Sequence, residues 1–406
     1  MKTVNRTVAL QCVGFTLNVL TIFFIAKQLG SAGQGEYAWL RAMAYLIEAF
    51  LWFGLNNSIT YFVALDRKEH GEYILKTCGY YLIFLMITSL FTLTVYNIFS
   101  EIDAIRIAKI ILWIFTLGLV QILLKFLLGS QLFLSFNIIY IVSTLLLFIN
   151  VAILTYLDNL SISSVVFCHI TSNIISFGLG IFIHRSIFSL WNIKLSFKIT
   201  IIYSYLHVGF RSYISTLGYL ALYRVDFYVV GYYLGLEILG LYSVAIYMIE
   251  AMQKIPEWLG MILTPKASNR DVNIRPTIIK YSIFVGIYVL TVFLFLLILN
   301  NFVQDWTSFI GLSEYSGVEE ILPLLFPRVL FYSVMVIYAA FLAGKGYPLY
   351  HLFSGISAVI ILSLLSFYLA PISGLNGIIG AGSIAFFVSL TIIVLGFWNW
   401  TLPSQK

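Results

Sequence analysis

The stretch Leu29-Gly30-Ser31-Ala32-Gly33-Gln34-Gly35-Glu36-Tyr37 is answered 205 positions later by Leu234-Gly235-Leu236-Glu237-Ile238-Leu239-Gly240-Leu241-Tyr242. Both copies read Leu-Gly, a four-residue spacer, Gly, one residue and Tyr. Each is followed by an Ile-Glu-Ala triplet, Ile47-Glu48-Ala49 and Ile249-Glu250-Ala251. A third echo, Phe126-Leu127-x-Gly129 against Phe341-Leu342-x-Gly344, lies 215 positions apart. The widened offset fits the long segment from Asn301 to Glu320, whose counterpart near Asn97 to Ile105 is short. A chain of 406 residues that repeats at half its length is built from two similar halves.

Composition places those halves in a membrane. The chain is 61% hydrophobic and 10% charged, with a mean hydropathy of +0.98. A soluble fold of this length has too little interior to hide that much apolar surface. A helix needs about 20 apolar residues to cross the hydrocarbon. Runs of this kind predict spans at 7–29, 37–63, 76–98, 106–128, 132–156, 162–183, 205–233, 242–263, 277–299, 321–343, 348–370 and 377–399. They are too long and too uniformly apolar for outer-membrane strands. The expected fold class is therefore an all-α, polytopic membrane protein of about 12 transmembrane helices in two pseudo-symmetric six-helix lobes, 1–195 and 196–406. A linker lying on the membrane surface, His184 to His207, joins them. Paired bundles of this kind are a transporter architecture.

Charge sets the expected orientation. The N-terminus and the loops after even-numbered spans hold most basic residues, among them Arg67, Lys68, Lys76, Arg185, Lys194, Lys198, Lys266, Arg270 and Lys345. Loops after odd-numbered spans hold Lys27, Arg106 and Lys109 beside many acids, including Glu36, Asp158, Asp305, Glu314 and Glu319. The positive-inside rule puts both termini in the cytoplasm. The net charge of +6 is a topology signal and predicts no nucleic-acid partner. The first apolar run is too long for a cleaved leader and reads as a retained span.

No phosphate-binding loop of the G-x-x-x-x-G-K-[ST] type is present, so ATP is not the expected energy source. Cys12, Cys78 and Cys168 are scattered, and the histidines form no ligand pair, so neither a metal nor a cofactor is expected. No constellation points to hydrolysis, and the protein is not expected to be an enzyme. Prolines predict a kink at Pro256, a helix stop at Pro265, a kink near Pro323 and Pro327, and a tight turn from Pro371.

Charges inside spans are costly, each roughly 2.5–3.5 kcal/mol at the bilayer centre, and imply a partner or a wet cavity. Span seven carries Arg224 and Asp226 among Tyr219, Tyr223, Phe227, Tyr228 and Tyr233. Two residues on a helix is a rotation of about 200°, so the two charges face different ways. In one reading Arg224 meets an anionic headgroup and Asp226 orients it or carries a proton or sodium ion. In the other, both belong to an internal ion network. Span two places Arg41, Tyr45, Glu48 and Trp52 on one face. That stripe is either a cavity wall that hydrogen-bonds and stacks on sugars, or an interfacial arginine and a glutamate held by a neighbour. Glu250 is the counterpart of Glu48 and stands four residues before Lys254, a local ion pair. Lys27, Lys125 and Arg328 lie near span ends, where long side chains carry their charge to the interface. His169, beside Cys168, Thr171, Ser172 and Asn173, reads as a satisfied buried histidine.

Several of these pieces resemble one family in order and spacing: Ile25-Ala26-Lys27-Gln28-Leu29-Gly30, Gly35-Glu36-Tyr37, Phe53-Gly54-Leu55, Tyr223-Arg224-Val225-Asp226, Gly240-Leu241-Tyr242-Ser243-Val244-Ala245, Gly344-Lys345-Gly346 and Gly374-Leu375-Asn376-Gly377. From about residue 7 to residue 398 the chain resembles the bacterial polysaccharide (O-antigen) flippases of the multidrug/oligosaccharidyl-lipid/polysaccharide exporter superfamily. The resemblance implies export of an undecaprenyl-pyrophosphate-linked oligosaccharide across the inner membrane by alternating access, driven by a proton or sodium gradient. It implies membrane lipids and other polysaccharide-assembly proteins as further partners. It gives Arg224 and Asp226 the family's charged span-seven role. In this scheme Arg224, with Arg41 or Lys27, holds the pyrophosphate. Tyr45, Trp52, Tyr223 and Glu48 meet the sugars, and Asp226, Glu48 and Glu250 are the ion-coupling candidates. The related lipid II flippases usually carry two further spans. A cation-antiporting drug exporter shares the architecture but would favour an acidic cavity. A polysaccharide polymerase needs a larger outer loop than the one near Asn300 to Glu320.

Overall fold

The computed structural model describes residues 2–52, 55–65, 104–185, 210, 213, 218, 220–268, 274–302, 306–309, 311–346 and 348–399. Among the described residues every regular element is helical. They are α1 (Lys2–Trp52), α2 (Leu55–Leu65), α3 (Ala104–Gly129), α4 (Phe133–Tyr156), α5 (Ile162–Ile183), α6 (220–233), α7 (Leu236–Ser268), α8 (Arg275–Phe302), α9 (Trp306–Phe309), α10 (Val318–Leu324), α11 (Phe326–Gly344) and α12 (Pro348–Asn399).

Eight of these are long and apolar enough to cross a membrane. Helices α1 and α12, of 51 and 52 residues, are each two spans interrupted by one glycine. Gly30 (φ 68°, ψ −177°) breaks the first and Gly374 (φ 56°, ψ −137°) the second. Ten of the expected spans are thereby present. The expected third span lies outside the described residues, as do much of the seventh and the linker beyond Arg185 with its boundary at 195. Helix α8 displays what faces lipid: Ile283, Ile287, Leu290, Leu294 and Ile298, at helical spacing, are all exposed. The protein is a multi-pass membrane protein.

The prolines act partly as expected. Pro323 sits inside the short α10, and Pro327 opens α11, so the expected tenth span is a one-turn prelude followed by a separate helix. The turn expected at Pro371 falls three residues later, at Gly374. Helix α7, in contrast, continues past Pro256 and Pro265 to Ser268, so the expected stop at Pro265 is corrected. Proline removes one donor, but in a packed helix the neighbours hold the backbone in place.

The chain forms two compact units: Met1–Leu29 with Leu40–Leu217, and Gly30–Trp39 with Gly218–Lys406. In the first, α5 packs on α3 and α4, and α2 packs on α3. In the second, α11 is central and packs on α7, α8 and α12.

The internal repeat is written into the backbone. Gly30 and Gly235, equivalent in the repeat, both take positive φ (68° and 88°) immediately before a helix, a region that side chains disfavour. Positive φ recurs at Gln131 and Gly346, at the 215-residue offset of the Phe-Leu-x-Gly echo, and within one residue of that offset at Asp158 and Gly374. Within the second unit the two copies of the motif touch reciprocally. A Cβ on Gly35 would overlap the carbonyl oxygen of Leu236, and one on Gly240 would overlap that of Ser31. Ser31 and Leu236 are themselves equivalent positions, so the contact is a local two-fold. Gln34 Nε2 donates to Ser243 Oγ alongside it (3.2 Å). Glu314, from the long segment before α10, accepts from the Ser31 N–H (3.1 Å) and caps the helix that starts after Gly30.

Backbone cannot rotate out of the way as a side chain can. Gly35→Ala and Gly240→Ala should therefore each cost more than about 2 kcal/mol, read as a lowered melting temperature in detergent. Gly286→Ala, where nothing lies within 4 Å, should be neutral or stabilising by up to about 1 kcal/mol from helix propensity. Equal melting of Gly35→Ala and Gly286→Ala would refute the close contact.

Candidate functional site

Helix α6 brings its two charges to different partners, as their two-residue spacing requires. Asp226 is sealed: its Oδ2 accepts from Arg328 Nη1 (2.5 Å) and from the Tyr242 hydroxyl (2.7 Å), and its Oδ1 accepts from the Phe227 N–H (2.9 Å). Arg328 Nη1 also donates to Tyr242 Oη (3.0 Å), and its guanidinium lies over the Phe386 ring at 5.1 Å. The carboxylate and guanidinium are 0% and 2% exposed. This joins α6, α7, α11 and α12 around one buried ion pair. Asp226 thus sits in an internal, fully buried ion pair.

The same geometry corrects the reading of Arg328 as an interfacial side chain. It stands only two residues into α11, which suggested snorkelling. Yet the α10 prelude and the packing of α11 against α7 and α12 bury it. Tyr242 was visible in the sequence only as the tyrosine closing the repeated motif. That placement is the signal that could have nominated it.

Arg224 turns the other way. Its Nη1 donates to Glu250 Oε1 at 2.8 Å and to the Tyr223 carbonyl at 3.2 Å. The guanidinium lies over Phe227 (5.1 Å) and Tyr247 (6.0 Å). Unlike the sealed pair, Arg224 and Glu250 keep 19% and 22% of their side-chain surface exposed. One turn along α7, Lys254 Nζ donates to Glu257 Oε2 (2.6 Å), and Glu257 Oε1 accepts from the Tyr332 hydroxyl (3.0 Å). Tyr223 packs edge-on against Tyr332 and Phe386. The second unit thus carries a ladder of alternating charge: Arg224, Glu250, Lys254, Glu257. The sequence reading contained the first three rungs, with Lys254 expected beside Glu250; the structure also bonds Lys254 to Glu257, which the reading did not include, nor Tyr332. The i, i+4, i+7 spacing of Glu250, Lys254 and Glu257 was the available clue.

In the first unit the span-two stripe is assembled on α1. The Arg41 guanidinium lies over the Tyr45 ring at 5.7 Å. Trp52 Nε1 donates to Glu48 Oε1, and both residues are buried. Lys125 of α3 is half-buried and within electrostatic range of Glu48, so its charge has an internal partner as well as a nearby interface. His169 is buried and stacked on Trp113 (centroids 4.5 Å apart). It lies in a polar layer where Asn173 donates to Thr116 and Asn150 donates to Thr171 and Ser172, at 3.4–3.5 Å. Lys27 is exposed, three residues before the break at Gly30. The described residues contain no cluster of metal-ligating side chains.

No protein-family model matches the sequence, and no curated protein matches it. Solved structures do. The chain is similar to the lipid II flippase MurJ in an inward closed conformation, with 14% identity over 97% of this chain and 88% of that one and a TM-score of 0.71. It is similar to an inward-facing multidrug resistance MATE transporter of the MOP superfamily, with 14% identity over 95% and 94% of the two chains and a TM-score of 0.70. A third likeness is to the eukaryotic MATE transporter AtDTX14, at 16% identity over 99% and 95% and a TM-score of 0.66. At such identities what is shared is the fold. The chain has the all-α, twelve-helix membrane fold of the MATE transporters, and its likeness to the lipid II flippase extends over nearly its whole length.

The sealed pair makes a stability prediction. Arg328→Leu strands a buried carboxylate and should cost about 3–5 kcal/mol, whereas Arg328→Leu with Asp226→Leu removes both charges and should recover most of that loss. Melting temperature and folded yield in detergent are the readouts. A double variant no better than Arg328→Leu alone would contradict the coupling.

Proposed function

We propose that the protein is a flippase that moves an undecaprenyl-pyrophosphate-linked oligosaccharide across a bacterial inner membrane by alternating access, with both termini cytoplasmic. The observation that carries this reading is Arg224: a guanidinium in an apolar span that keeps 19% of its side-chain surface exposed, backed by two aromatic rings and paired with a carboxylate that is 22% exposed. A pyrophosphate is the group that such a cation selects, because guanidinium binds phosphate oxygens in a matching fork. The fold shared with a lipid II flippase supports a lipid-linked substrate.

In this mechanism the pyrophosphate and sugars pass through about 30 Å of hydrocarbon while the polyprenyl tail stays in lipid. Arg224 binds the pyrophosphate. Tyr223, Tyr45 and Trp52 offer aromatic surface to sugars, and Glu48 offers an acceptor. Asp226 works by fixing α6. Glu48 and Glu250 are the carboxylates through which a proton or sodium gradient could act. Membrane lipids and polysaccharide-assembly proteins are the remaining partners. No bond is made or broken. The likeness to MATE multidrug transporters supports a second reading, a cation-coupled drug exporter.

Arg224→Ala should abolish surface polysaccharide and leave lipid-linked repeat units on the inner leaflet, with protein level unchanged. Arg224→Lys should retain a part of the activity. Normal polysaccharide in Arg224→Ala would remove Arg224 from the mechanism, and drug sensitivity with intact polysaccharide would favour the exporter.

A further inference from the structure

We propose that Glu250 is an internal stand-in for the substrate's anion: it occupies the Arg224 guanidinium while the transporter is empty and yields it when a pyrophosphate arrives. The inference rests on the flippase reading and adds to it a mechanism for selecting charge.

The contrast between two ion pairs on one helix is the basis. Arg224–Glu250 and Asp226–Arg328 have the same chemistry and share α6. The second is 0% and 2% exposed and carries added bonds from Tyr242 and the Phe227 amide. Breaking it would leave a charge in a dry interior, so it does not exchange. The first is 19% and 22% exposed. Ion pairs that are not sealed are held less tightly than fully buried ones and are more readily replaced by another ion. A structural pair has no need of that exposure; a binding site does.

The surroundings also provide for the displaced groups. The aromatic faces of Phe227 and Tyr247 stay beside the guanidinium whichever anion it holds. Glu250 has Lys254 one turn further along the same helix, within the reach of an i, i+4 pair. Lys254 is at present bonded to Glu257, and Glu257 is also held by the Tyr332 hydroxyl. Lys254 can therefore turn toward Glu250 while Glu257 keeps a donor. The four residues of the ladder carry two positive and two negative charges, so Arg224 is matched by a carboxylate of the chain itself. A neutral lipid offers nothing that could displace Glu250, whereas a pyrophosphate does. The stand-in thus lowers affinity for every ligand and rejects uncharged ones.

The test uses the full chain in lipid nanodiscs with undecaprenyl pyrophosphate as the probe and undecaprenol as its uncharged control. Glu250→Gln should tighten pyrophosphate binding about tenfold and leave undecaprenol binding unchanged, and it should slow turnover because release is slower. Arg224→Ala should lose the preference for pyrophosphate. Adding Glu250→Gln to Arg224→Ala should then change nothing, which a merely structural glutamate would not predict. Glu250→Asp, which keeps the charge on a shorter arm, should tighten binding by less than Glu250→Gln, and it carries the test if Glu250→Gln does not fold. Unchanged or weaker pyrophosphate binding in the Glu250 variants, with Arg224→Ala still losing the preference, overturns the stand-in and leaves the flippase reading intact. A wild-type protein that binds both lipids equally overturns the flippase reading itself.

Discussion

A guanidinium inside an apolar bundle must have its charge answered, and Arg328 has it answered by Asp226 with Tyr242 bonded to both. Each of these residues lies on a different helix: α6, α7 and α11. The face of Phe386 adds α12. Apolar packing between helices in a membrane is nearly indifferent to register, because lipid tails are as apolar as the side chains they replace. A buried ion pair with a shared hydroxyl is not indifferent. Sliding any of the three helices by one residue would strand a charge, so the pair fixes the register that apolar contacts leave open.

The repeated motif supplies a second constraint of another kind. Gly35 and Gly240 let two backbones approach until carbonyl oxygens fill the space a side chain would take. Close approach of this sort maximises dispersion contact, the main attractive term between helices in lipid. The repeat therefore has two outputs from one string of residues. Its glycines make the contact, and its tyrosine in the second copy reaches the ion pair. Tyr37, in the first copy, is buried as Tyr242 is, but it belongs to a segment counted with the second unit. The two copies have the same form and unequal duties.

Much of the architecture was legible because membrane helices are written in composition. Span positions follow from apolar length, and the breaks in α1 and α12 follow from glycine; no tertiary knowledge is needed for either. The one-turn prelude α10 was half legible, since the prolines announced a disturbance but not a separate helix. The stop at Pro265 was misread because inside a membrane bundle neighbouring groups and small backbone adjustments satisfy the carbonyl a proline leaves free, so the helix can continue. The site was less legible than the fold. That Arg224 and Asp226 diverge follows from helix geometry alone. Which arginine answers Asp226 does not, because position 328 is 102 residues away and its burial depends on how α10 and α11 fold back. A charge near a span end reads the same in sequence whether it snorkels or is sealed.

The sealed pair and the part-exposed pair are coupled by the stiffness of α6. Arg224 and Asp226 are separated by about 3 Å of rise and about 200° of rotation, so clamping one face fixes where the other face points. A long arginine side chain has many rotamers, and holding its guanidinium at a useful point depends on a rooted backbone and on flanking rings. Asp226 supplies the root, and Phe227 and Tyr247 supply the rings. An anchor this close to the Arg224–Glu250 pair keeps α6 in place whatever that pair does, because the sealed bond on the opposite face does not depend on it. The asymmetry between neighbouring pairs gives one helix a rigid face and a less tightly held one.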